Sequence, residues 1–170
     1  MEQPLHRAPT RRCRNFSAQD AESRLRKGTA FVAVRADGKL LLRTRPSTGL
    51  LGAMSEVPTS EWTHDYDEAR ARAAAPKFRR KIAWRRMPGV VTHVFTHFPL
   101  ELTVFAGVVA RGTRPPAGAR WVALAGIGGE ALPSVMRKVV AHALAQAQEP
   151  KTNGKKFPNG KKLPNGKRKP

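Results

Sequence analysis

Short apolar runs separated by polar turns dominate the chain and predict a β-rich domain. Two of them, residues 29–34 and 39–43, flank Asp37-Gly38, and an Asp-Gly pair between such runs is a strong signal for a tight β-hairpin. Two longer runs, residues 90–95 and 100–108, are rich in β-branched and aromatic residues, which favour strands. We expect these two strands to meet at a compact polar tip.

Two further stretches have a helical pattern. Residues 65–75 begin with acidic side chains and continue with arginines and alanines, a charge order that the helix macrodipole favours. Pro76 then marks the predicted end of the helix. Residues 134–147 follow Pro133 and repeat apolar side chains on one helical face. A short strand is predicted between them, at residues 119–124. The fold class is therefore α+β, with a mixed sheet and flanking helices.

The ends of the chain differ in composition from its middle. The composition of residues 1–28 predicts a basic, flexible N-terminal segment, the lead-in, with a short helix at residues 18–26. The pattern of residues 29–147 predicts one folded domain. Residues 148–170 contain a repeat of Asn, Gly, Lys and Pro without a core-forming pattern. Such a segment is typical of a disordered basic tail.

Two connecting segments contain apolar side chains. The Gly-bracketed loop at residues 47–54 carries leucines and a methionine, so we expect it to lie against the core rather than face a ligand. Residues 77–86 interleave six basic residues with Phe78, Ile82 and Trp84. This pattern fits either an ordinary strand with a solvated face or a surface that binds nucleic acid.

The charge of the chain points to a polyanionic partner. The formal net charge is +20, distributed as +4 over residues 1–29, +8 over residues 30–150 and +8 over residues 151–170. Lys and Arg that neutralise phosphates release counterions, which favours DNA or RNA as a partner. The alternative, a generally basic and soluble protein, is equally compatible with charge alone.

Cysteine usage and hydropathy bear on whether the protein is disulfide-bonded, metal-binding, membrane-spanning or secreted. The single cysteine, Cys13, excludes an internal disulfide and a cysteine-based metal cage within this chain. No apolar run approaches the roughly 18 residues of a membrane span, and no signal segment precedes the domain. We expect a cytoplasmic, monomeric protein without a membrane partner.

The order of elements resembles the Nudix fold, whose hydrolases hold Mg²⁺ with several carboxylates on one helix. The Nudix signature has Gly, five residues, Glu, seven residues and then Arg-Glu-apolar-x-Glu-Glu. Here Gly52 is followed at the required spacing by Pro58, and Asp67 and Glu68 have arginines one turn later. A hydrolase of this type is therefore disfavoured, and Asp65, Asp67 and Glu68 are better explained as first-turn charges.

Four motifs in order resemble the C-terminal domain of MutY-type adenine DNA glycosylases. They lie at residues 31–38, 49–58, 93–98 and 131–138, and the resemblance covers about residues 27–145. In that family the domain is a catalytically silent relative of the Nudix hydrolases that recognises 8-oxoguanine opposite adenine. The resemblance thus implies a DNA-repair role, with duplex DNA containing 8-oxoguanine as the partner.

The resemblance also implies where the lesion is contacted. A Phe-Ser-His or Phe-Thr-His loop touches the oxidised guanine in that family, and it falls here on Phe95, Thr96 and His97. Oxidation gives guanine a carbonyl at C8 and a hydrogen at N7, and a threonine hydroxyl that donates and accepts distinguishes that edge. Phe95 and Phe98 also fit a role as core anchors of the loop, an explanation that is favoured for Phe98. For His97 the sequence leaves two roles open, a phosphate contact or a cap of the loop.

Parts of the full glycosylase are expected to be missing. That family places a helical catalytic domain with an iron-sulfur cluster ahead of this one, whereas this chain has 28 residues and only Cys13 there. We therefore expect no catalytic residue, no metal and no cofactor, and base excision only together with a separately encoded glycosylase domain.

Two alternatives stay open. One is a divergent Nudix hydrolase that acts on nucleotide diphosphates through other acids, for instance Glu56 and Glu101. The other is a remnant that folds without a specific function. Loss of the tail lysines is expected to weaken binding to damaged and undamaged DNA alike.

Overall fold

Parallel pairing of two long strands forms the centre of the sheet. In the computed structural model, which describes residues 24–148, β1 (Arg26–Arg35) runs parallel to β6 (Pro99–Val109). Their register is continuous from Arg26 opposite Leu100 to Arg35 opposite Val109. Both strands are apolar on both faces in their middle, as expected for strands that are covered on two sides.

The other elements extend this pair into a mixed sheet. Within the described residues the sheet has seven strands in the order β3-β2-β1-β6-β4, with β5 on β6 and β7 on β2. The remaining elements are β2 (Lys39–Thr44), β3 (Ser55–Glu56), α1 (Glu68–Arg72), β4 (Arg85–Arg86), β5 (Val91–Val94), β7 (Ala119–Ala123), a 3-10 helix (Leu124–Gly129) and α2 (Ser134–Gln148). The predicted α+β class with a mixed sheet and flanking helices is confirmed.

The main core lies between one face of the sheet and α2. The buried face of α2 packs on alternate residues of the central strands, which all point to that side because the side-chain period of a strand is two. The α2 members of this core are Val135, Met136, Val139, Val140 and Ala143, and the strand members include Ala30, Val32, Leu100, Leu102 and Val104.

The opposite face of the sheet has a smaller apolar cluster. Phe31 and Phe105, neighbours across the parallel pair, stack with their ring centroids 6.0 Å apart. The guanidinium of Arg72, the last residue of α1, lies 5.1 Å from the centre of the Phe105 ring. Helix α1 and residues 77–86 therefore cover the face that α2 leaves open.

Several predicted elements have the expected bounds. The hairpin of β1 and β2 turns at Asp37-Gly38, where Gly38 adopts a φ of 77°, a backbone conformation that glycine accepts without strain. The strand predicted at residues 119–124 and the helix predicted at 134–147 are also confirmed.

Strand β1 begins earlier than the sequence pattern predicts. Its first three residues, Arg26–Gly28, belong to the stretch predicted as a lead-in, yet they pair with Leu100, Glu101 and Leu102 of β6. Of the helix predicted at residues 18–26, only the last three residues are described, and none of them is helical. The tail predicted from residue 148 onward lies almost wholly outside the described residues.

Two local predictions need correction, and one open choice is narrowed. The helix predicted at 65–75 is confined to Glu68–Arg72. Residues 77–86, for which a strand was one of two interpretations, form a strand only at Arg85–Arg86. The loop at residues 47–54 only partly meets the core, because Leu51 packs on it whereas Leu50 is 42% exposed. Leu51 reaches the core with a φ of 58°, in the left-handed region, which non-glycine residues rarely adopt.

No helix within residues 24–148 has the length and apolar character needed to cross a lipid bilayer.

Candidate nucleic-acid interface

The turn between β5 and β6 carries the residues that the sequence singled out. The amide of Phe95 donates a hydrogen bond of 2.9 Å to the carbonyl of Phe98, which closes the tip. Thr96 and His97 lie between these two residues, and both of their side chains are exposed. The hydroxyl and the imidazole are therefore displayed at the apex of the hairpin.

Aromatic rings pack together at the base of this turn. Phe98 is only 7% exposed and belongs to the main core, so its predicted role as an anchor is confirmed. The half-buried ring of Phe95 lies 5.1 Å from Phe98, 5.9 Å from Trp62 and 4.6 Å from His93, between ring centres. Such contacts each add about 0.5–1.5 kcal/mol beyond area burial, so the turn is held by several rings at once.

Two guanidinium groups extend this aromatic cluster. The guanidinium carbon of Arg26 lies 4.1 Å from the centre of the Phe98 ring, and that of Arg45 lies 5.1 Å from Trp62. Both are within the range of a cation–π contact. Arg26, Arg45 and Trp62 also line an open groove of about 880 Å³. Glu56 lines the same groove and pairs with Arg45.

The imidazole of His93, below the apex, is a poorly solvated group. Burial, together with the nearby ammonium of Lys138, holds the pKa of His93 below its ordinary value of 6.5. Its Nδ1 atom is buried and has no hydrogen-bond partner among the described residues. His93 therefore serves as a neutral neighbour of the Phe95 ring rather than as a cation.

Sequence reasoning identified Phe95, Thr96 and His97 but not the residues that pack against this turn. Trp62 lies in a loop 33 positions before Phe95, and Arg26 lies in the stretch expected to stay outside the core. No local pattern links these residues to the tip, because their contacts form only when β1 pairs with β6. How the apex residues contact DNA stays a prediction.

The acidic residues around α1 are engaged in capping and ion pairing. Asp67 caps α1 by accepting hydrogen bonds from the amides of Ala69 and Arg70, at 2.8 and 3.4 Å. Glu68 lies in the first turn of α1 and pairs with Arg86 at 3.1 Å. The two acids therefore lie at the start of the helix as predicted, whereas Asp65 precedes it.

The two acids considered for a divergent hydrolase lie in separate ion pairs. Glu56, 1% exposed, accepts a hydrogen bond of 2.8 Å from Arg43 and another from Arg45. Glu101 lies 3.6 Å from the ammonium of Lys27. Within residues 24–148 no three His, Cys, Asp or Glu side chains are grouped closely enough to hold a metal ion.

The mixed sheet between α2 and α1 defines a Nudix-like fold. The chain belongs to the NUDIX family, because the family profile of the NUDIX domain matches residues 29–142, more than half of its 170 residues. No curated protein matches the sequence.

Several solved structures have a similar fold. The C-terminal domain of mouse MUTYH, solved in complex with human PCNA, has a TM-score of 0.58 at 20% identity, over 72% of this chain and 89% of that one. The MutT protein from Methanosarcina mazei Go1 has a TM-score of 0.56 at 18% identity, over 75% and 99%. The NUDIX domain of Shewanella oneidensis NrtR, solved with ADP ribose, has a TM-score of 0.57 at 14% identity, over 78% and 94%. These identities establish the fold alone.

Proposed function

We propose that this chain recognises 8-oxoguanine opposite adenine in duplex DNA, as the recognition part of an adenine DNA glycosylase. The observation that carries the proposal is the position of Thr96, exposed at the apex of a turn whose flanking rings are fixed. A MUTYH C-terminal domain among the similar folds agrees with a role at DNA. In this proposal a separately encoded glycosylase domain is the partner that removes the adenine.

The proposed contact uses the chemistry that separates the lesion from guanine. The N7–H of 8-oxoguanine donates a hydrogen bond, whereas N7 of guanine only accepts one. The Thr96 hydroxyl accepts from N7–H and donates to the new carbonyl, so it serves both groups. Phe95 fixes the backbone of the turn, and His97 supplies a second polar group beside the lesion.

The test compares two duplexes that differ only by the oxidation of one guanine. The full chain is titrated with DNA containing 8-oxoguanine or guanine opposite adenine, and the ratio of the two Kd values is measured. We expect a preference for the lesion that falls about three- to tenfold in Thr96→Ala, since a single hydrogen bond contributes about 0.5–1.5 kcal/mol. Thr96→Ser, which keeps the hydroxyl, should retain the preference.

The matched control is Thr92→Ala, because Thr92 is an exposed threonine on the same hairpin. The ratio of the Kd values for the two duplexes in Thr92→Ala should equal that of the wild type. A wild-type chain without any preference, or an unchanged ratio in Thr96→Ala, would contradict the assignment of the apex.

A further inference from the structure

Residues 77–86, which we call the basic segment, are held on the sheet by side chains rather than by strand pairing. Only Arg85 and Arg86 pair with β6, opposite Ala106 and Phe105. The Phe78 ring stacks on Trp121 with centroids 6.2 Å apart. The segment is thus irregular in backbone yet fixed in place.

A second anchor lies at the other end of the segment. The ring of Trp84 meets the ring of Phe31 edge-on at 5.3 Å. Below it, Gly107 of β6 leaves the room for this approach, because a Cβ atom there would lie 2.6 Å from Ile82 Cγ2 and 3.1 Å from Trp84 Cε3. The three large apolar side chains of the segment therefore all face the sheet.

The basic side chains of the segment are exposed on the side away from the sheet. Of these six, Arg86 forms an ion pair with Glu68, and the described residues show no ion pair for the other five. The other five are exposed: Lys77, Arg79, Arg80, Lys81 and Arg85.

Four of the eleven arginines elsewhere in the described residues pair with acids: Arg35 with Asp37, Arg43 and Arg45 with Glu56, and Arg120 with Glu130. What distinguishes the basic segment is density, because five cations for which the described residues show no ion pair lie within nine consecutive residues, 77–85. A bound anion would relieve their mutual repulsion.

We propose that the basic segment is a second DNA-binding surface, which contacts the phosphate backbone of the duplex and sets an affinity independent of the lesion. The choice of duplex DNA rests on the proposed function. Lys and Arg side chains bind phosphates as point charges and as bidentate forks, and they release counterions when they do so.

The inward orientation of the rings favours a duplex over a single strand. Single-strand binding surfaces offer exposed aromatic rings on which unpaired bases stack. Here Phe78 and Trp84 are half-buried against Trp121 and Phe31, so mainly cations face outward. A surface of this kind suits phosphates, and it leaves recognition of the base to Thr96 at the apex.

The test removes two charges from the basic segment in the full chain, as Arg79→Gln with Arg80→Gln. Binding to duplexes with 8-oxoguanine or guanine opposite adenine is measured over a series of salt concentrations. We expect Kd to rise about tenfold or more at low salt for both duplexes, with their ratio unchanged. The slope of log affinity against log salt should become shallower by about 1.8, that is, about 0.9 for each lost phosphate contact.

The matched control removes a single charge from the opposite face of the sheet and is compared with Arg79→Gln alone. Arg137→Gln alters an exposed residue of α2 and should leave the slope as in the wild type, whereas Arg79→Gln should make it shallower by about 0.9. An equal decrease in both single variants, or no decrease in Arg79→Gln with Arg80→Gln, would overturn the inference. A loss confined to single-stranded DNA would overturn it too.

These measurements also separate the two proposals. A wild-type chain that binds both duplexes equally, but loses salt-dependent affinity in the basic-segment variant, contradicts lesion recognition and supports the phosphate-binding surface. A preserved preference for the lesion, together with an unchanged salt slope in Arg79→Gln with Arg80→Gln, would support lesion recognition and contradict the phosphate-binding surface.

Discussion

The indole of Trp62 stacks on the ring of Phe95, with 5.9 Å between the ring centres and 26° between the planes. This contact joins the loop after β3 to the turn between β5 and β6. The Phe95 ring, adjacent in sequence to Thr96, is thus held by a residue that lies 33 positions away in the chain.

Replacing Trp62 with alanine should loosen the apex without changing any group that faces the ligand. We expect a loss of about 2 kcal/mol in the free energy of unfolding, less than the 3–5 kcal/mol typical of a fully buried ring, because Trp62 is half-buried. The ratio of Kd values for damaged and undamaged duplexes should fall as well. Urea denaturation and duplex titration measure the two effects.

The conservative control is Trp62→Phe. The Nε1 atom of Trp62 is buried and has no hydrogen-bond partner among the described residues, so phenylalanine keeps a ring in the stack and removes an unsatisfied donor. Stability and preference should therefore stay close to the wild type. Equal losses in Trp62→Phe and Trp62→Ala would show that the stack does not support the apex.

Glu56 should matter for stability and not for hydrolysis. Its carboxylate joins Arg43 and Arg45, and Glu56→Gln leaves both guanidinium groups without a negative partner. We expect a loss of about 1.5–3 kcal/mol in the free energy of unfolding. The control, Glu101→Gln, breaks a more exposed pair with Lys27 and should cost less than about 1 kcal/mol.

The hydrolase alternative is tested on the same variants. We expect no Mg²⁺-dependent release of phosphate from nucleoside diphosphate derivatives by the wild-type chain, since Asp67, Glu68 and Glu56 are engaged by other groups. Turnover that disappears in a folded Glu56→Gln variant would replace lesion recognition by hydrolysis as the function.

His93 should make the fold less stable in mild acid. Its pKa is lowered in the folded chain by burial and by Lys138, so below its ordinary value of 6.5 the unfolded chain binds more protons than the folded one. The free energy of unfolding should consequently decrease as the pH falls from about 6.5 toward the lower folded pKa. Above that window both states are neutral at His93, and this residue makes no contribution to the slope.

His93→Gln removes the titrating group and should flatten this part of the stability profile. Urea denaturation at pH values between 5 and 8 checks the slope, and the range above pH 7 serves as the internal control. Lys138→Gln should flatten it in part, because the repulsive ammonium is lost while burial remains. Identical slopes in wild type and His93→Gln would assign acid sensitivity to other groups.

Local sequence was sufficient to predict the elements that local interactions determine. The Asp37-Gly38 pair fixes the first hairpin because the turn needs a positive φ, and the apolar face of α2 follows from a period of 3.6 residues. The position of Thr96 at an exposed tip was also predictable, since two β-branched runs flank it.

Where long-range contacts compete with local preference, the pattern was misleading. Residues 65–75 favour a helix, yet the Tyr66 hydroxyl forms a hydrogen bond of 2.7 Å with Thr29 Oγ1 of β1, and α1 starts only at Glu68. Residues 77–86 alternate like a strand, but Phe78 and Trp84 bind to rings on the sheet instead of following a neighbouring strand.

By itself, the sequence determined the fold class, the first hairpin, the closing helix and the loss of the acidic pattern that a magnesium site needs. Only the tertiary structure decided that Trp62 and Arg26 support the tip, that Glu56 pairs with two arginines, and that the cations of the basic segment face outward together. The physical reason is the parallel pairing of β1 with β6. It joins strands more than sixty residues apart in the chain, and contacts over that distance depend on packing rather than on local periodicity.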